Sequence, residues 1–174
     1  MRGSLQYSRE LFWHYWLPVL TLLAVIAMES TETMSGHNTL HLLQRLLESL
    51  GAHLAQERME LLNLAARKCG HATGYGLLCL SWMLLLRGQY WLQHDCKPRR
   101  TERVQVMRNW WRGTWAVLAV ALTFCVATAD ELHQMNLEGR SGSWWDVALD
   151  TSAGAVVAGL LYLIARWRCR PRSI

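Results

Sequence analysis

Residues 113–150 read GTWAVLAVALTFCVATADELHQMNLEGRSGSWWDVALD. The first 17 of these, Gly113 to Ala129, contain no Lys, Arg, Asp or Glu. Asp130, Glu131, His133, Glu138, Arg140, Asp146 and Asp150 then follow in quick succession. At about 1.5 Å rise per residue the apolar part makes a helix about 25 Å long, close to the roughly 30 Å of hydrocarbon in a bilayer. A soluble core helix of that length carries a polar stripe every three or four residues. None is present here, so the run reads as a membrane span, and the charges beyond it sit where charge is costly.

Three more blocks share this character. Leu11 to Met28 runs 18 residues without an acid, Lys or Arg; Gly70 to Leu86 gives 17, interrupted only by His71; Val147 to Ala165 gives 19 with one charge, Asp150. Over all 174 residues the chain is 52% apolar and 18% charged, against about a quarter charged in a soluble domain. The expected fold is therefore all-α: one polytopic membrane domain over residues 1–174, with four transmembrane helices at approximately 11–28, 70–86, 113–129 and 147–165. Residues 1–27 also match the outline of a cleaved leader. Trp13, His14 and Trp16 inside the apolar part, and its length, favour a retained span.

Charge placement orients the chain. The N-terminus carries Arg2 and Arg9, the segment 87–112 holds seven basic residues against two acids, and the tail holds Arg166, Arg168, Arg170 and Arg172. Residues 130–146 hold four acids against Arg140, and residues 29–68 hold five acids against four basic residues. Lys and Arg are retained on the cytoplasmic side, so both termini are expected there, in the inner (cytoplasmic) membrane of the cell. The formal net charge of +5 is then a topology signal, and nucleic acid is not an expected partner because no recognition fold accompanies the basic runs. Tryptophans at span ends (Trp13, Trp16, Trp110, Trp111, Trp144, Trp145, Trp167) fit headgroup-level anchoring.

The first outer segment changes character along its length. Ser30 to Asn38 is rich in Ser, Thr and Gly and reads as a loop. Leu40, Leu43, Leu47 and Leu50 then recur at helical spacing, Gly51 breaks the run, and Leu54, Met59, Leu61, Leu62 and Leu64 resume it. One or two amphipathic helices over approximately 39–67 are expected on the outer face. The five cysteines show no CxxC or Cys/His spacing and read as free thiols.

On this topology the polar residues converge at the outer end. Glu29 and Ser30 close the first span, Lys68 and His71 open the second, Asp130, Glu131, His133 and Gln134 close the third, and Asp146 and Asp150 begin the fourth, with Arg140 in the loop between. Lys68, His71 and Tyr75, at i, i+3 and i+7, share a helix face. Asp146 and Asp150 are one turn apart, and Gly154 and Ala158 continue their ridge with small residues that let another backbone approach. Lys68, Arg140 and His71 are the counter-charges at hand. A salt-bridge network pinning helix ends would use these residues, yet buried ion pairs stabilise weakly. Intramembrane ionisable groups point to function first.

These residues resemble the VanZ-like family of small membrane proteins. "KCGHATGY" (Lys68, His71, Tyr75), "DELHQ" (Glu131, Gln134), "GR" (Gly139, Arg140) and "WDVALD" (Asp146, Asp150) follow that family's order, and "EST" after the first span resembles its Ser-containing motif. The chain departs from the pattern at Asp150, where the family commonly has Asn, and at Arg67, where it often has Asp. The family is named for an accessory protein of teicoplanin resistance, so the resemblance implies a cell-envelope role without implying a reaction.

The expected ligand-binding set is Lys68, His71, Tyr75, Asp130, Glu131, Gln134, Arg140, Asp146 and Asp150, and the expected partner is a membrane lipid or lipid-linked envelope precursor. No cofactor is expected. Two other classes stay open. A membrane enzyme would use His71, Glu131, Asp146 and Asp150 as acid/base groups, although no nucleophile elbow, zinc-protease helix or phosphate loop is present. A metal on His71, His133, Glu131 and Asp146 has suitable ligand types at a spacing that fits no standard site. Neither catalysis nor oligomeric state is decided by these residues.

Overall fold

A computed structural model describes residues 12–93, 113–137 and 142–168. Among them every regular element is a helix. A π-helical turn, Phe12–Trp16, leads into α1, Leu17–Glu29. Pro18 lies in the first turn of α1, where its missing N–H costs no hydrogen bond. A short 3-10 turn, Glu32–Met34, precedes α2, Gly36–Ser49. Then come α3, Gln56–Gln93, α4, Gly113–Gln134, and α5, Trp144–Arg168. Among the described residues four stretches are long and apolar enough to cross a membrane: Phe12–Glu29, Gln56–Gln89, Gly113–Gln134 and Trp144–Ile164.

Gly51 ends α2 as the sequence suggests. Its φ is 75°, the left-handed conformation that glycine adopts without penalty. Gly51 N donates to Glu48 O (3.0 Å) and Ala52 N to Leu47 O (2.9 Å), the paired bonds of a Schellman cap.

The second span differs from its expected bounds. The later part of the amphipathic segment and the span are one helix, and α3 runs unbroken for 38 residues, about 57 Å. No proline interrupts it, and Gly70, Gly74 and Gly76 each cost only about 1 kcal/mol in a helix. The change from polar to apolar near residue 68 is a change of surroundings, with no signal in it that stops a helix.

The spans run antiparallel, and contacts from Lys68, His71, Tyr75 and Ser30 to α4 and α5 bring the end of α1, the middle of α3, the end of α4 and the start of α5 to one end of the bundle. α3 is the hub: it packs against α5, α4, α1 and α2. α5 comes close to both α3 and α4 at Gly154, where a Cβ would lie 3.2 Å from both Cys79 Cβ and Thr123 Cγ2. The ridge read from the sequence does face inward, with Asp150, Gly154 and Ala158 all buried. Cys79 is a buried free thiol, and Cys69 and Cys125 are exposed free thiols.

Val117, Phe124, Val156, Leu160 and Leu163 point outward, an apolar exterior suited to acyl chains. Exposed tryptophans mark both ends of α5, Trp144 and Trp145 at one and Trp167 at the other. They are separated by about 34 Å of helix, close to the roughly 30 Å of hydrocarbon between headgroup layers.

Candidate functional site

The site begins with a cap. Ser143 stands just before α5, and its Oγ accepts from Trp145 N (3.2 Å), satisfying one of the free amides of a helix start. Its own N–H donates to Glu131 Oε2 (2.7 Å). Glu131, buried at the end of α4, thereby fastens the chain entering α5.

Asp130, one residue earlier and also buried, is served by neutral donors. Tyr75 OH donates to Asp130 Oδ2 (3.0 Å), Gln134 Nε2 to the same oxygen (3.1 Å), and Ser30 Oγ to Oδ1. Gln134 Nε2 also reaches Ser30 Oγ (3.2 Å). A buried carboxylate needs donors around both oxygens, and here they come from α1, α3 and α4 together. The counter-charges read from the sequence are Lys68, Arg140 and His71; Asp130 has hydroxyls and an amide instead.

The other two acids do face cations. Lys68 Nζ lies 2.5 Å from Asp146 Oδ1, with both side chains partly exposed; such a rim pair contributes little to stability. His71 Nδ1 lies 3.3 Å from Asp150 Oδ2. Asp150 is 1% exposed, and its second oxygen, Oδ1, is buried without a hydrogen-bond partner. The His71 ring stacks beside Tyr75, centroids 6.2 Å apart, linking this contact to the Asp130 network. A cavity of about 70 Å³ opens among Arg67, Lys68, His71, Glu131, Asp146 and Asp150.

Eight of the nine expected site residues thus gather at one end of the bundle. Lys68, His71 and Tyr75 project from α3, Asp130, Glu131 and Gln134 from α4, and Asp146 and Asp150 from α5. Arg140, the ninth, lies outside the described residues. Three further participants were not in the expected set: Ser30, Ser143 and Arg67. "EST" was a signal for Ser30, and the Ser before the Trp pair was one for a cap; Arg67 was marked only by its departure from the family pattern. His133 is exposed, and among the described residues no three His, Cys, Asp or Glu side chains are grouped to hold a metal. The His71, His133, Glu131 and Asp146 combination is not assembled.

Fold and site define a multi-pass helical membrane protein whose polar and charged side chains are gathered at one end of an otherwise apolar bundle. The chain belongs to the VanZ/LLP1 family, whose model matches residues 12–166. No curated protein and no solved structure matches it.

Proposed function

We propose that this VanZ-family protein binds the polar head of a membrane lipid or lipid-linked envelope molecule at the outer end of its bundle, and that this binding underlies a cell-envelope role such as glycopeptide tolerance. The cavity carries the reading: three basic side chains and three carboxylates line one space at the end of a membrane-spanning bundle. Polar groups so placed are costly without a ligand to justify them. Glu131→Gln tests this selectively, because the amide oxygen can still accept from Ser143 N while the charge is lost. The variant is expected to insert and fold normally but to lose lipid or envelope precursor that copurifies with the native protein in native mass spectrometry. Equal retention by both proteins would sink the reading.

The same proposal places both termini in the cytoplasm of the inner membrane, supported by the basic residues in segment 87–112 and in the tail. Reporter fusions at residues 50 and 140 are expected to read external and a fusion at residue 98 internal. An external residue 98 would invert the whole arrangement.

A second reading, acid/base catalysis on a lipid-linked precursor, rests on the His71–Asp150 contact. A carboxylate on one imidazole nitrogen fixes the tautomer of the other, a device used in general acid/base chemistry. Turnover of such a precursor by purified protein, lost in His71→Ala, is its signature.

A further inference from the structure

Beside the polar cavity lies a larger, mostly apolar one of about 300 Å³. It sits between α2 and α3 near the end of α1, walled by Met34, Leu42, Leu43, Leu46 and Ala66. Arg67 and His71 line both cavities, so the two adjoin across these side chains as a recess polar on one side and oily on the other. Its size is at the lower bound of ordinary ligand pockets, roughly 300–1,000 Å³.

Two groups in this recess lack partners of opposite kind. Arg67 is half-buried, and among the described residues its guanidinium makes no ion pair or hydrogen bond. It passes close over Gly36, where a Cβ would meet its Nη1 at 2.8 Å. Glycine at the start of α2 leaves room for it. The second group is Asp150 Oδ1, buried with no donor. A guanidinium seeks an anion with planar or tetrahedral oxygens; a carboxylate oxygen seeks an N–H or O–H donor.

Charge balance narrows the choice. Around the polar cavity Arg67, Lys68 and His71 face Glu131, Asp146 and Asp150, three basic groups against three acids. A simple anion or cation added here would leave excess charge in a low-dielectric setting, which is strongly unfavourable. A zwitterion adds none. Size narrows it again: about 70 Å³ is small beside ordinary ligand pockets of roughly 300–1,000 Å³. That favours a short aminoethyl arm over a bulkier sugar head. A trimethylammonium head is bulkier and has no N–H to give.

We infer that the recess takes a phospholipid with a phosphoethanolamine head, its ammonium donating to Asp150 Oδ1, its phosphate on Arg67 and one acyl chain in the groove under α2. This rests on the head-group reading above and names its ligand class.

The test uses the full chain, purified in detergent and titrated in native mass spectrometry with phosphatidylethanolamine, phosphatidylcholine and phosphatidylglycerol of identical acyl chains. The ethanolamine lipid is expected to bind about tenfold or more tighter than either, the worth of one charge-assisted hydrogen bond. Arg67→Gln, on the half-exposed rim where folding is not at stake, should weaken all three lipids alike, because each carries the phosphate that Arg67 holds. Soluble O-phosphoethanolamine, which has the head but no chain, should fail to displace the lipid at equal concentration. Effective displacement would remove the groove from the proposal. A preference for the glycerol or choline lipid, or undiminished binding of all three by Arg67→Gln, would overturn the inference. If another lipid is preferred and lost in Glu131→Gln, the head-group reading stands without it; if no lipid binds at all, both fall.

Discussion

His71→Leu is expected to lower the stability of the bundle by about 3–5 kcal/mol, the cost of removing one partner of a buried charged pair. Among the described residues Asp150 has one hydrogen-bond partner, His71, and a second oxygen with none. Leucine fills much of the imidazole's space but donates nothing, and a carboxylate 1% exposed is left without any donor. The double variant His71→Leu/Asp150→Leu is expected to recover most of the loss, since apolar replacement of a whole buried pair is often neutral or stabilising. Unfolding in detergent, followed by thermal or dodecyl-sulfate titration, reads both. A single variant as stable as the native protein would show that Asp150 does not depend on His71. The pair of results also separates pinning from function. If an apolar pair holds the helices equally well, the polar pair is present for something other than holding them, and the double variant should be stable but unable to retain lipid.

The two levels of description agree where the bilayer is the dominant constraint. A span must be apolar for about 20 residues, so Gly113 to Ala129 announces α4 with no tertiary information. Small residues one turn apart along Asp146, Asp150, Gly154 and Ala158 likewise disclose which face of α5 turns inward, because only a close backbone neighbour rewards them. Hydropathy reports what surrounds a helix and is silent on whether the helix continues. Hence α3 began earlier than its apolar part, while Gly51, a true stop signal, was read correctly. Within the site, the legible residues were those with side-chain charge at helical spacing. Ser30 was harder to recognise because its partner Asp130 is 100 positions away and serine is common at helix ends. Ser143 contributes a backbone N–H, which no side-chain pattern encodes. Arg67 acquires meaning only once α2 lies back along α3, held in part by Asn63 Nδ2 donating to Gly36 O (2.9 Å); that fold-back depends on tertiary packing.

Asp130→Ala is expected to cost about 3 kcal/mol, less per lost contact than a simple count suggests. The substitution strands three buried donors, those of Ser30, Tyr75 and Gln134, and an unsatisfied buried polar group costs about 1–3 kcal/mol. Gln134 Nε2 still donates to Ser30 Oγ at 3.2 Å, so the penalty falls on the hydroxyl donors of Ser30 and Tyr75, both buried. A double-mutant cycle isolates this. Tyr75→Phe alone should cost about 1 kcal/mol, since Asp130 keeps its other donors. In the Asp130→Ala background it should be neutral or slightly stabilising, because the hydroxyl it removes has already lost its acceptor. Additive losses would mean that the two side chains act independently and that the network is a coincidence of neighbours. The cycle bears on the whole site, since α1 packs mainly on α3, and Ser30, through Asp130 and Gln134, ties its end to α4. Loosening that tie frees the end of α1, which borders the apolar groove through Glu29. Asp130→Ala should therefore weaken lipid retention even though Asp130 does not line either cavity, and Ser30→Ala should reproduce that weakening while sparing the Tyr75 contribution.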